Sequence, residues 1–334
     1  MSSTLFFHFL PKQKPVILPT FESVLEAIKG NGFVWLDFNG PTAELLQPLV
    51  DQLGVHPLVI EDCLGENQIP KLDVYQGNSF VLFNSYGYDG KVLTIEEIDF
   101  IISPKFLVTV HGRVEQKSEF FTRLPERIER ALATVTKGTD FLMHAIMDYV
   151  VDQKFVVIEK LEDELEAVER QIHDAPAKFK PQELMRLRGH MLALRKSLFH
   201  EREVVSKLCR KDAPCITDKS VYYFRDIYDH LTKFFEFVEI NREMVSNLFE
   251  LYLSARNNHL TEISLQMNEV MKRLTLITTI FMPLTLLSGI GGMSEYSAIT
   301  GGTENWVISY SAFMIAMVVL GWLNYKLLKW KKWV

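Results

Sequence analysis

The sequence predicts a membrane protein, with an α/β water-soluble domain, long helices and two transmembrane helices per chain. Three observations predict it. The first is a concentration of apolar residues: Leu274 to Ile290 is 17 residues without a charge, and Trp306 to Tyr325 is 20 more. At about 1.5 Å per residue these runs reach roughly 26 and 30 Å, the thickness of a hydrocarbon core. The second is a series of short Phe-, Val- and Ile-rich runs before residue 112, bounded by Gly, Pro, Asn and Asp, which reads as strands alternating with helices. The third is a switch to helical periodicity from Thr139 onward, with no proline between Asp218 and Pro283 and no glycine before Gly289.

Composition bounds the rest. The chain has 334 residues, 36 Lys and Arg against 42 Asp and Glu, a net charge of −6 and 48% apolar residues. That is too apolar for a disordered chain and too acidic for a nucleic-acid partner, which needs a basic patch to replace phosphate counterions. Cys63, Cys209 and Cys215 are an odd number with no CxxC spacing, so a disulfide scaffold is excluded and a reducing compartment expected.

In chain order, Thr4–Leu10 reads as a strand, because the apolar run Leu5–Leu10 is only six residues long, with no preceding Lys or Arg, and is too short for a secretory leader. Helices fit Phe21–Lys29, stopped by Gly30, and Ala43–Leu53, between Thr42 and Gly54. Further strands fit Phe33–Phe38, Ser79–Tyr86, Glu97–Ile102 and Phe106–His111, with a tight turn at Tyr88-Asp89-Gly90. A helical stretch, Glu115–Thr136, is expected to bend at Pro125. Residues 1–138 thus form an α/β domain. A helical hairpin, 139–217, follows: Thr139–Asp174, with Thr139 as its cap, then Gln182–Arg210. In the first helix Val157, Leu161, Leu165, Val168 and Ile172 step by three or four, placing one apolar face. The charged run Glu159 to Glu166 reads as its solvated side.

Residues 218–290 read as one helix that enters the membrane, roughly 110 Å long. Propensity alone does not hold so long a helix, so it needs packing partners. Copies of itself in a closed ring are the natural ones. An external loop, 291–305, connects it to the second span, 306–325, and a basic tail, 326–334, follows. Lys272 and Arg273 precede the first span and Lys326, Lys329, Lys331 and Lys332 follow the second, whereas the loop has no Lys or Arg. The positive-inside rule then puts both termini in the cytoplasm, at the inner (plasma) membrane. Trp306, Trp322, Tyr325 and Trp330 suit the interfaces.

One stripe of the long helix carries the chemistry. Asn257, Thr261, Ser264, Asn268, Met271, Thr275, Thr278, Met282 and Thr285 follow alternating steps of four and three, so they share a face. The face is polar, uncharged and runs into the membrane, where such groups need a hydrogen-bonding partner or water. Two readings stand. The hydroxyls bond their own i−4 carbonyls or join helices, or the stripe lines a pore in which oxygens meet the water shell of a cation. Mg²⁺ gives up that shell reluctantly, which suits outer-shell recognition. Met271 and Leu274 would then form an apolar constriction, and Glu295 and Glu304 outside would concentrate cations.

These residues resemble a known family. Asn268-Glu269-Val270-Met271-Lys272-Arg273-Leu274-Thr275, Ile280-Phe281-Met282-Pro283-Leu284-Thr285 and Gly289-Ile290-x-Gly292-Met293 look like the first span of CorA-type divalent metal ion transporters. Val34-Trp35-Leu36-Asp37, His56-Pro57-Leu58-x-Ile60-Glu61-Asp62, Pro70-Lys71-Leu72-x-x-Tyr75 and Leu107-Val108-Thr109-Val110-His111 match further signatures in the same order, over most of the chain. The resemblance implies a funnel-shaped homopentamer that passes divalent cations. Residues matching Asn268, Met271 and Leu274 would line its neck, and those matching Met282 and Thr285 its membrane part. The selectivity loop would be Gly292, Met293, Ser294 and Glu295. Here Gly291-Gly292-Met293-Ser294 stands in place of the family's Tyr-Gly-Met-Asn. Ser replaces the Asn whose carbonyl ring meets hydrated Mg²⁺. A zinc-transporting branch also varies this motif, which leaves Zn²⁺ open beside Mg²⁺. The family's regulatory metal sites use acidic residues between subunits, for which Asp226, Asp229 and Glu236 are candidates against plain solvated charges.

No HExxH, P-loop or GxSxG occurs, and Gly30-x-Gly32 precedes a strand where a dinucleotide fingerprint would open a helix. His111, at a strand end, reads as structural. An enzyme is therefore not expected, nor a cofactor. The expected partners are the chain itself, membrane lipid and divalent cations, as transported and regulatory ligands. The alternative function is a membrane-anchored metal sensor or scaffold that keeps the architecture without conducting.

Overall fold

Strands buried on both faces need apolar side chains on both, and the central strands of the seven-stranded sheet in the soluble part are of this kind. The computed structural model describes residues 3–11, 13–65, 68–112, 128, 131–292 and 305–331. The strands are β1 (Ser3–Phe9), β2 (Val16–Leu18), β3 (Phe33–Asn39), β4 (Leu72–Val74), β5 (Ser79–Tyr88), β6 (Leu93–Ile102) and β7 (Phe106–His111). They form one sheet in the order β2-β1-β3-β7-β6-β5-β4. The β3–β7 pair is parallel and the others are antiparallel.

The side chains of each strand alternate between two cores. Val34, Leu36, Phe38, Phe80, Leu82, Val108 and Val110 face one side, with Val24, Leu46, Leu49, Val59 and Cys63 from α1 (Phe21–Lys29), α2 (Ala43–Leu53) and α3 (Pro57–Leu64). Trp35, Val81, Phe83, Phe100, Ile102 and Leu107 face the other, with α4 (Leu132–Val135), α5 (Thr139–Asp174), α6 (Gln182–Cys209) and the first part of α7 (Val221–Gly291).

Differences from expectation have local causes. β6 starts at Leu93, four residues before the expected Glu97, because Thr94, Ile95 and Glu96 also pair along β5. The turn between them is the expected one, with Asp89 Oδ1 accepting from the amides of Lys91 and Val92 at 2.8 Å. β2, β4 and α3 were not anticipated. The two strands are three residues each and lie at the sheet edges. α3 starts at Pro57, with His56 Nδ1 accepting from the Leu58 amide at 3.2 Å. Thr139 does not cap α5. Its hydroxyl donates to the Ser103 carbonyl at 2.8 Å, and Gly138 occupies the cap position. Of the expected helix Glu115–Thr136, residues 115–127, 129 and 130 lie outside the described residues, and α4 falls in its last part.

The helical expectations hold closely. Val157, Leu161, Leu165, Val168 and Ile172 of α5 are all buried. On α7 the buried series Val221, Phe224, Ile227, Leu231, Phe234, Val238, Asn241, Val245, Leu248 repeats every three or four residues. The last helix, α8 (Trp306–Trp330), continues five residues beyond Tyr325. The chain divides into two compact units, Met1–Tyr252 and Leu253–Val334, and α7 is shared between them. α7 and α8 each hold an apolar stretch long enough to cross a membrane, none of it buried within the chain.

Candidate functional site

Within the second unit, exposure sorts each helix into faces. On α7, Leu276, Ile280, Leu284, Leu287 and Gly291 are half-buried, at steps of four, four, three and four. On α8, Ser309, Phe313, Met317, Gly321 and Asn324 are half-buried and Leu328 is buried, again at helical steps. These two faces meet: Leu284 Cδ1 lies 3.5 Å from where a Cβ would stand at Gly321.

The polar stripe lies on the other side of α7. At 3.6 residues per turn, Met271, Thr275, Thr278, Met282 and Thr285 centre about half a turn from the α8-facing residues. All nine stripe residues from Asn257 to Thr285 are exposed, as is Leu274 beside them. An open groove of about 760 Å³ runs along this region, lined by Ile277, Thr278, Phe281, Met282, Thr285, Leu286, Gly289 and Ile290. From the sequence, Ile277 and Phe281 of that lining read as lipid-facing positions, whereas Leu286, Gly289 and Ile290 are not among the stripe residues.

The threonines share one hydrogen-bond pattern. The hydroxyls of Thr261, Thr275, Thr278 and Thr285 each donate to the carbonyl four residues back, at 2.8 Å. The first of the two sequence readings is therefore realised within the chain. It does not displace the second. A back-bonded hydroxyl has used its only hydrogen, and its oxygen keeps lone pairs that can only accept. Waters around a cation turn their hydrogens outward, so an acceptor-only surface matches a hydrated cation. Pro283 lies inside α7 and removes the amide that would serve the Thr279 carbonyl, adding a further acceptor.

Charge stays at the ends. Glu269 and Arg273 pair at 2.6 Å just before the first apolar run. Lys326 Nζ sits 4.6 Å from the Trp322 ring. The Gly292 amide donates to the Ser288 carbonyl at 3.1 Å and closes the last turn of α7. Met293, Ser294 and Glu295 lie outside the described residues.

In the first unit, Asp226, Asp229 and Glu236 are exposed on one side of α7. Asp226 Oδ1 lies 4.0 Å from His230 Nε2, and its charge also acts on His144. Asp229 and Glu236 are separated by about 10 Å of helix rise. Among the described residues, no three His, Cys, Asp or Glu side chains gather to hold a metal within one chain.

The most elaborate polar cluster is elsewhere in this unit. Lys154 of α5 and Glu201 of α6 are fully buried and paired at 2.6 Å. Glu201 also accepts from the Asn84 amide at 3.1 Å and from the Tyr86 hydroxyl at 3.2 Å. Lys154 Nζ lies 3.8 Å from the Phe83 ring centre. Burial pulls the lysine from its ordinary 10.5 down to about 8, against the opposing pull of Glu201. Burial likewise pushes Tyr86 well above its ordinary value. This cluster ties β5 to both hairpin helices.

Comparison with known proteins gives one answer. The family described as CorA-like Mg2+ transporter protein matches residues 30–329. The cobalt/magnesium transport protein CorA of Thermotoga maritima is 32% identical over 318 residues, covering 94% of this chain and 87% of that protein. The structure of the CorA magnesium transporter from Methanocaldococcus jannaschii has a TM-score of 0.71 at 22% identity, covering 99% of this chain and 98% of that one. The structure of full-length CmaX has a TM-score of 0.68 at 18% identity, with 98% of each chain covered.

Proposed function

The chain belongs to the CorA-like Mg2+ transporter family, and we propose that it is a passive channel for hydrated divalent cations. Members of this family are membrane transporters and not enzymes. They need no cofactor, and the divalent cation is their substrate. Divalent cation transport is therefore the function of this chain at the coarse level.

The finer reading is a homopentamer in the plasma membrane with both termini in the cytoplasm. Residues 1–217 form its cytosolic part, 218–290 the stalk and first span, and 306–325 the second span. The pore is lined by Asn257, Thr261, Ser264, Asn268, Met271, Leu274, Thr275, Thr278, Met282 and Thr285, with Gly292, Met293, Ser294 and Glu295 at its mouth. One observation carries it: the uncharged polar stripe is exposed half a turn from the face that packs on α8, and its threonines offer only acceptors. A ring of copies covers such a stripe and leaves it facing water. Regulatory metal at Asp226, Asp229 or Glu236 would need carboxylates from a neighbouring subunit, since one chain does not assemble a site. Ser294 presents a shorter, hydroxyl-bearing group than Asn, so Zn²⁺ and related ions pass alongside Mg²⁺.

The test is flux of Mg²⁺, Co²⁺, Ni²⁺ and Zn²⁺ into proteoliposomes holding the full chain. The expected result is flux that needs no energy source. Thr278→Val, which keeps shape but removes an acceptor worth about 1 kcal/mol, lowers it about fivefold. Ser294→Asn shifts the preference toward Mg²⁺. No flux of any ion would overturn the channel and leave the sensor or scaffold.

A further inference from the structure

The last turn of α7 ends on a contact that no sequence motif announces. Gly291 is its final residue and is half-buried. A Cβ placed there would stand 2.8 Å from Phe313 Cζ, 2.9 Å from Cε2 and 3.4 Å from Cε1. Carbon atoms in good contact are about 3.5–4.0 Å apart. The Phe313 ring of α8 therefore takes the room that any side chain at 291 would need. Gly321 of α8 is its reciprocal, with a side chain of α7 facing a glycine of α8: a Cβ placed at Gly321 would stand an ordinary 3.5 Å from Leu284 Cδ1. The two contacts are separated by seven residues on α7 and eight on α8, about 10 and 12 Å along the helices. Two reciprocal contacts at that spacing fix both the sliding and the rotation of one helix on the other. Close packing at small residues is also the main attraction available to helices in lipid.

We propose that Phe313 is a positioning residue for transport: seated on Gly291, its ring sets where the pore-lining helix ends and thereby which divalent cations pass. The inference rests on the transport reading above. The Gly292 amide, one residue past the contact, closes the last turn of α7 on the Ser288 carbonyl, so a shift of the ring moves the end of that helix. Recognition of a hydrated ion by several oxygens depends on their number and placement, so a displacement on the order of 1 Å is enough to alter the choice of ion.

The test is a double-substitution cycle on the full chain in proteoliposomes, with Gly291→Ala, Phe313→Leu and both together. Leucine lacks the Cζ and Cε atoms that crowd position 291. Residues in contact typically couple strongly enough for a change of about threefold or more. Gly291→Ala is thus expected to change the ratio of Mg²⁺ to Co²⁺ flux about threefold or more, and the double variant to restore it to within about twofold. A second readout needs no flux. Ser294→Cys is placed in each background, and its labelling by a membrane-impermeant thiol reagent is timed against the chain without it. The rate is expected to change with Gly291→Ala and return in the double variant. The proposal is overturned if Gly291→Ala lowers total flux in step with the amount of folded protein and leaves the ratio unchanged. It is also overturned if the two substitutions simply add. Absence of flux in the unsubstituted chain would overturn the transport reading instead, and the labelling cycle would still decide whether Phe313 positions that end of α7.

Discussion

The two units of this chain solve opposite problems. In the first, residues 1–252, two cores cover both faces of the sheet, and even a fully buried lysine finds its carboxylate. In the second, residues 253–334, Leu328 is the one buried residue among those described. Apart from the face that α7 and α8 turn to each other, its apolar side chains and its polar stripe alike are exposed. The first unit buries its own apolar core and pairs the fully buried charges of Lys154 and Glu201 within the chain. In the reading proposed above, the second is finished by what surrounds it, with lipid against its apolar positions and copies of the chain beside its stripe. The protein thus keeps its charges where the chain can pair them. Along the stripe of α7 it keeps threonine oxygen acceptors without charge, which in the proposed pore a hydrated ion can pass without being held.

The sharpest way to break that contrast is to unpair the buried charge. Glu201→Ala leaves the Lys154 ammonium without its partner and is expected to lower the stability of the first unit by about 3–5 kcal/mol. Lys154→Met with Glu201→Gln removes both charges, keeps an acceptor for the Asn84 amide and the Tyr86 hydroxyl, and is expected to cost clearly less than Glu201→Ala. Hydrogen exchange in β5, α5 and α6 of the full-length protein in detergent reads both. Equal losses in the single and double variants would mean that packing, not pairing, holds the hairpin to the sheet.

The same pair sets an unusual pH dependence, the next largest effect. Lys154 sits at about 8 in the fold, against an ordinary 10.5. Between those values the unfolded chain binds more protons than the folded one, so stability rises with pH across the window. At about 1.4 kcal/mol per unit the gain is on the order of 3 kcal/mol. Tyr86 acts in the opposite sense. Its raised value means the fold keeps a proton that the unfolded chain releases above about pH 10, so stability turns down there. Thermal unfolding of the full chain from pH 7 to 10 should show the rise, and Lys154→Met should flatten it. A fall in stability from pH 8 to 10 would show that the lysine is held more firmly in the fold than in water.

Much of this was legible in the residues, for reasons that also explain what was not. α5 and α7 were visible because each buries one face, so their apolar residues recur every three or four positions. The strands were visible as apolar runs, but their two faces were not, because both are covered and the alternation disappears. β2 and β4 are too short to show a period. The Lys154–Glu201 pair left a signal that went unread. Lys154 falls between Val150 and Ile158 on the apolar stripe of α5, and Glu201 between Leu198 and Val205 on that of α6. A lysine and a glutamate each occupying a core position point to one another. At the candidate site the stripe was legible from spacing alone. The α8-facing side was not, since lipid and a neighbouring helix demand the same apolar residues. The notch at Gly291 was invisible for a related reason: its partner Phe313 lies on a separate helix.

The smallest expected effect closes the comparison from the other side. Glu269 and Arg273 on α7 form a pair at 2.6 Å, the same separation as Lys154 and Glu201. Their side chains are 62% and 74% exposed, against none for the buried pair. Water screens both charges and competes for them, so an exposed i,i+4 pair contributes about 0.3–0.5 kcal/mol. Glu269→Gln is expected to change stability by no more than that, in an unfolding measurement that registers Glu201→Ala as several kcal/mol. Equal distances with a tenfold difference in consequence would show that burial, and not contact, decides which charges hold this chain together. A loss above about 1 kcal/mol for Glu269→Gln would mean that the pair is covered in the assembled protein. The second unit would then gain from its neighbours the dry surroundings that the first unit builds for itself.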